Sequence, residues 1–95
     1  MLTIVLPVYN ESESILECLE RLSRSIETYE HEILVCYDFD EDTTLPILEK
    51  VRDKYPALRL VKNVYGRGAA KAIKSGIEDA RGNIIITTMA DLSDP

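Results

Sequence analysis

Four short apolar runs, separated by three segments of helical periodicity, limit what this chain can fold into more than any other feature. The runs cover residues 2–6, 32–37, 58–61 and 84–89. The first, second and last are nearly continuous in aliphatic and β-branched residues, as in strands covered on both faces. Ile15, Leu19, Leu22 and Ile26 recur at helical intervals after the first run, with Glu17, Glu20, Arg21 and Arg24 elsewhere on the wheel. Leu45, Leu48, Val51 and Tyr55 form a second stripe; Pro46 suits its first turn, where a missing N–H costs little, and Pro56 closes it. Ala69, Ile73, Ile77 and Ala80 form a third, with Gly82 placed as a helix C-terminal glycine. Strands alternating with helices predict a parallel sheet with right-handed crossovers. Arg59 and Lys62 interrupt the third run, which suits an edge strand. The expected fold is therefore α/β, a Rossmann-like parallel sheet of order 3-2-1-4 with helices on both faces.

In that order the winding reverses between strands 1 and 4, and open α/β sheets bind ligands beyond the carboxyl ends of their strands at such a point. Three stretches are expected there: residues 7–11 (PVYNE), the acidic loop that begins at Asp38, and residues 90–94 (ADLSD). Asn10, followed three residues later by Glu13, has capping-box spacing for the first helix. Asp38 is the first residue off its strand and the stronger ligand candidate, whereas Asp40 and Asp42 suit caps of the next helix. Asp91 and Asp94 read either as carboxylates delivered to the rim or as turn residues before Pro95. Gly66-Arg67-Gly68, with Lys71 and Lys74 following, reads either as a phosphate cradle at a helix start or as a turn with solvated cations. Glu11 is either a ligand or a first-turn acid complementing the helix dipole, and Tyr9 either a ligand or a packing residue.

Several function classes are disfavoured. Ninety-five residues make one small domain. Seventeen acidic against eleven basic residues, a formal charge of −6, argue against nucleic acid or an anionic membrane surface as the main partner. Cys18 and Cys36 lack metal-ligand spacing and fit a reduced, cytosolic compartment. With no apolar run approaching about twenty residues and no basic-apolar leader, neither a membrane span nor a signal peptide is expected in this stretch. The first strand-to-helix turn carries no glycine, which excludes the dinucleotide fingerprint, and a Walker P-loop is absent.

Taken together, VLPVYNESESI, ILVCYDFDEDTTL, NVYGRGAAKAIKSGIEDARGNII and MADLSDP resemble family 2 glycosyltransferases, in particular their polyprenyl-phosphate, dolichol-phosphate mannosyltransferase-like branch. The likeness runs through the whole chain in the family's order and spacing. It implies the N-terminal, donor-binding half of a GT-A type nucleotide-diphospho-sugar transferase, with the acceptor site and general base beyond Pro95. By that likeness Pro7, Tyr9 and Glu11 hold the nucleotide, Asp38 contacts base or ribose, and Ala90 and Asp91 fall at the family's D-x-D position. Arg67 and Lys71 are expected to assist electrostatically. A divalent cation, manganese or magnesium, is expected on Asp91, with Asp94 as a second ligand, to neutralise the leaving diphosphate.

The sequence departs from the family pattern twice: Met89 stands where the first D-x-D carboxylate is usual, and Tyr37 where the first member of an acidic pair is usual. The implied partners are a nucleotide-diphospho-sugar donor and a lipid-phosphate acceptor, with no nucleic acid, in the cytoplasm or at the cytoplasmic membrane face. Self-association through an exposed strand 4 edge is also expected. Two other classes compete. Asp38-Phe39-Asp40 resembles the aspartate pair of haloacid-dehalogenase-type phosphatases, and a non-catalytic nucleotide-binding module would need no chemistry at all.

Overall fold

A computed structural model describes residues 1–90 and carries the alternation expected from the sequence. In chain order the elements are β1 (Leu2–Pro7), α1 (Ile15–Ser25), β2 (His31–Tyr37), α2 (Thr44–Val51), a 3-10 turn (Arg52–Lys54), β3 (Leu58–Lys62), α3 (Ala69–Asp79) and β4 (Ile84–Thr87). All strands pair in parallel, in the order β3-β2-β1-β4. Central β1 aligns Val5 with Leu34 of β2 on one side and with Thr87 of β4 on the other.

Side chains alternate across a strand, so β1 feeds two cores. Ile4 and Leu6 join Ile33 and Val35 beneath Ile15 and Leu19 of α1 and Leu48 of α2. Val5, Leu34, Cys36 and Val61 face the opposite way, against Ala72 of α3. Burial on both sides explains why β1 and β2 read as unbroken apolar runs.

Helix α3 corrects one expectation. Its buried residues are Ala72, Ser75 and Gly76; of the apolar stripe, Ile73 and Ala80 pack partly buried against the core, while Ile77 is 45% exposed. Small side chains one turn apart let the helix backbone descend onto the sheet, which bulkier residues at those positions would prevent. The Cys36 thiol beneath it is pushed up to about 12, by burial first and by Asp79 second, and so stays protonated and unreactive.

Helix α1 corrects another, since it begins at Ile15 and Asn10 does not cap it. Asn10 sits at φ 49°, a left-handed conformation that Asn tolerates, and its Oδ1 accepts the Thr43 N–H at 3.0 Å. Long-range partners replace the local box: Asp42 accepts from Asn10 N at 3.1 Å and Thr44 N at 2.8 Å, and Glu11 N donates to Thr44 Oγ1 at 2.8 Å. Buried Asp42 thus ties the β1 rim to the start of α2. Asp40 is no cap; it pairs with Lys62 Nζ at 3.0 Å on the surface.

At the amino end of the sheet, buried Glu32 accepts from Thr3 Oγ1 at 2.8 Å, Arg59 at 2.9 Å and the Arg81 N–H at 2.6 Å. Burial alone would raise its pKa, but the Arg81, Thr3 and Arg59 donors together hold it below the ordinary 4.5. A depressed carboxylate stabilises fully above its unfolded pKa, and that contribution disappears as pH falls through the folded value. Glu32→Gln is therefore expected to cost about 2–3 kcal/mol near neutral pH, with the deficit narrowing as pH drops below about 4. Urea denaturation across that range checks it; a deficit independent of pH would contradict the role.

Candidate functional site

Beyond the carboxyl ends of β1 and β2, a cleft of about 430 Å³ opens toward the loop that precedes α3. Pro7, Tyr9 and Glu11 line it from β1, Asp38 from β2, Arg67 and Gly68 from the loop, and Met89 from the segment after β4. It lies where the strand order reverses, as the topology requires.

Each wall has a local cause. Pro7 occupies the last β1 pairing position, and Val8 N donates to Cys36 O at 2.9 Å, carrying the chain straight into the rim. The turn over residues 11–14 then lets Glu11 Oε2 accept from Ser14 Oγ at 3.1 Å. Tyr9 is 57% exposed, and its ring stands 5.8 Å from that of Phe39 at an interplanar angle of 59°. The Arg67 guanidinium rests 5.5 Å above the same Phe39 ring, in cation–π range. Asp38 accepts from Asn63 Nδ2 at 2.7 Å and from Gly68 N at 3.2 Å. Gly66 and Gly68 adopt φ 97° and 126°, conformations that L side chains rarely adopt, so this path of the loop depends on both glycines.

Pro7, Tyr9, Glu11, Asp38 and Arg67 thus share one cleft. Lys71 does not line it: the side chain is exposed and its ammonium lies on the flank of the loop near Gly66. Ala90 is buried in the core on the α1 side. Asp91 and Asp94 lie outside the described residues. Among the described residues no three His, Cys, Asp or Glu side chains gather as a metal-holding group, and Glu11 and Asp38 already bond to Ser14, Asn63 and Gly68. Asp40 turns away to Lys62 instead of sharing the cleft with Asp38, which separates the pair that a haloacid-dehalogenase-type reaction would need. Phe39 and Asn63 carry more of the geometry than their sequence positions suggested. A signal for Phe39 existed, an aromatic directly after the rim aspartate; Asn63 offered only an amide ahead of a glycine loop.

Sheet order and crevice position place the chain among Rossmann-like α/β domains with a cleft at the strand-order reversal. More narrowly, it belongs to Glycosyl transferase family 2, whose profile matches residues 3–95. The undecaprenyl-phosphate 4-deoxy-4-formamido-L-arabinose transferase of Pseudomonas fluorescens is 38% identical, over 98% of this chain and 28% of its own length. The dolichol-phosphate mannosyltransferase of Pyrococcus furiosus is 27% identical, over 98% and 26%. Among solved structures, the mannosyltransferase PcManGT from Pyrobaculum calidifontis, in complex with GDP-Man and Mn2+, superposes with a TM-score of 0.80 at 29% identity, covering 95% of this chain and 27% of that one. S. aureus TarS 1-349 in complex with UDP gives 0.79 at 27%, covering 95% and 27%. The parallel sheet and its helices match these GT-A glycosyltransferases. The chain spans about a quarter of the length of the curated relatives it matches.

Proposed function

We propose that residues 1–95 form the donor-binding half of a glycosyltransferase domain that moves a sugar from a nucleotide diphosphate to a lipid-phosphate acceptor. The observation that carries this reading is the convergence of Pro7, Tyr9, Glu11, Asp38 and Arg67 on one cleft at the strand-order reversal. Family membership and the polyprenyl-phosphate transferases among the relatives support it. Tyr9 offers a ring face to the base, buttressed by Phe39. Asp38 accepts hydrogen bonds from base or ribose, and Pro7 and Glu11 shape the rim around it. Arg67 faces the diphosphate, with Lys71 adding positive charge from the flank. Ala90 backs the Met89 wall from the core.

A divalent cation, manganese or magnesium, belongs to this proposal through Asp91, with Asp94 second. In this proposal residues 1–95 supply the donor side, and no described residue is assigned as acceptor site or general base. No described helix is long and apolar enough to cross a membrane. With a lipid-phosphate acceptor, the reaction is proposed to take place at the cytoplasmic membrane face. Self-association through β4 completes the set of proposed partners.

Calorimetric titration with UDP and GDP, with and without manganese, tests the reading. Nucleotide should bind, and Asp38→Ala should weaken it by about 1–3 kcal/mol. Asp40→Ala should leave it unchanged, because that side chain is committed to Lys62 outside the cleft. Manganese should strengthen nucleotide binding in the parent chain and fail to do so in Asp91→Ala. Absence of binding by either nucleotide would remove the reading, and unchanged affinity on adding manganese would remove its metal component.

A further inference from the structure

We propose that Asn63 is the positioning residue of this cleft: it clamps the Asp38 carboxylate to the backbone of residues 65–68, so that β2 and the α3 loop meet the nucleotide as one preformed surface. The inference rests on the nucleotide-binding reading and deepens it, since Asn63 does not line the cleft.

Asn63 follows β3 directly. Its backbone N–H donates to Tyr37 O at 2.8 Å, which extends the β2–β3 ladder and drops the side chain beneath the rim at 7% exposure. A side-chain amide has two N–H donors and an oxygen with two lone pairs, and here all four are used. Nδ2 donates to Asp38 Oδ1 at 2.7 Å and to the Gly66 carbonyl. Oδ1 accepts from Tyr65 N at 2.9 Å and from Ser75 Oγ at 3.0 Å. Ser75 Oγ in turn accepts from Val64 N at 3.3 Å, so a single amide joins the β2 rim, the whole loop and the buried face of α3.

The partners also dictate the residue type. Turning the amide over, or replacing it by a carboxylate of the same shape, would set oxygen against oxygen at both Asp38 and Gly66. The fixed loop then places the Gly68 N–H 3.2 Å from the other Asp38 oxygen and leaves Arg67, between the two glycines, over Phe39. A ligand meeting this surface has little loop left to order, which is where preorganisation gains affinity.

Two measurements on the same variants test it. Without ligand, the Tyr65 and Gly68 amides should lose hydrogen-exchange protection in Asn63→Ala and Asn63→Asp, while the Val8 amide, bonded to Cys36 O in the β1–β2 ladder, keeps its own. With UDP or GDP, each variant should bind about tenfold or more weakly. The double variant Asn63→Ala/Asp38→Ala should lose less than the product of the two single losses, because one residue acts through the other. A purely structural Asn63 would lower Val8 protection too and give independent losses, which overturns the inference. Wild-type affinity in both Asn63 variants overturns it as well, whatever the exchange shows. A parent chain that binds neither nucleotide fails differently: it removes the functional reading itself, and this inference with it.

Discussion

Gly76→Val is expected to leave the chain without a cooperative unfolding transition, and Gly76→Ala to destabilise it by about 1–3 kcal/mol. At an exposed helix position the alanine change would go the other way, stabilising by about 1 kcal/mol through backbone entropy. The sign reverses because a Cβ at Gly76 would lie 2.6 Å from Val5 Cγ1 and 2.7 Å from Cys36 Sγ. Val5 cannot swing aside, being a β-branched residue on the central strand with its χ1 restricted. Valine adds two further methyl groups at the same point and also loses rotamer freedom in the helix. Thermal and urea unfolding read the effect. Truncating part of the obstacle gives an internal control: Gly76→Ala/Val5→Ala should be less destabilised than the two single losses summed, since two of the three atoms nearest the new Cβ are Val5 methyl groups, the third being Cys36 Sγ. A stabilised Gly76→Ala would show that α3 does not approach β1 and β2 this closely.

The same contact marks the limit of what the sequence made legible. Strand order was readable because Arg59 and Lys62 break the third apolar run, and both prove to be engaged at the sheet edge, with Glu32 and Asp40 respectively. The face of α3 was only partly readable. Periodicity weights large apolar residues, and Ile73 of that stripe does pack against the core, but Ile77 is exposed and close packing selected Ala72, Ser75 and Gly76 for their small size. At the site, Asp38 could be singled out as the first residue off a buried strand. Asn63 could not, because its value depends on Asp38, 25 residues away, and Ser75, 12 residues away, and a loop amide has no period to betray such partners. Asn10 shows the converse: its spacing to Glu13 suggested a local cap, but Thr43, 33 residues distant, takes its side-chain oxygen.

Residues 1–95 on their own are expected to self-associate in solution, and Ile86→Lys to reduce that association at least about tenfold. β4 pairs with β1 along one edge, and among the described residues no strand takes the other. Its register puts Ile84 and Ile86 on the face of Leu2 and Ile4, and Ile85 on the face of Thr3. Yet Ile84, Ile85 and Ile86 are 54%, 40% and 44% exposed, so neither helical layer fully covers this strand. An open row of backbone donors and acceptors flanked by isoleucine on both faces is a template for pairing with a second copy. A lysine on such an edge opposes pairing by keeping its ammonium in water, while its alkyl stem still covers the sheet. Because Ile86 is half-open, the variant should keep the parent's far-UV circular dichroism and change only its sedimentation. Concentration-dependent sedimentation velocity or light scattering distinguishes the outcomes. A monodisperse parent chain at high concentration would show that the β4 edge does not template association, and equal association by Ile86→Lys would locate the contact on another surface.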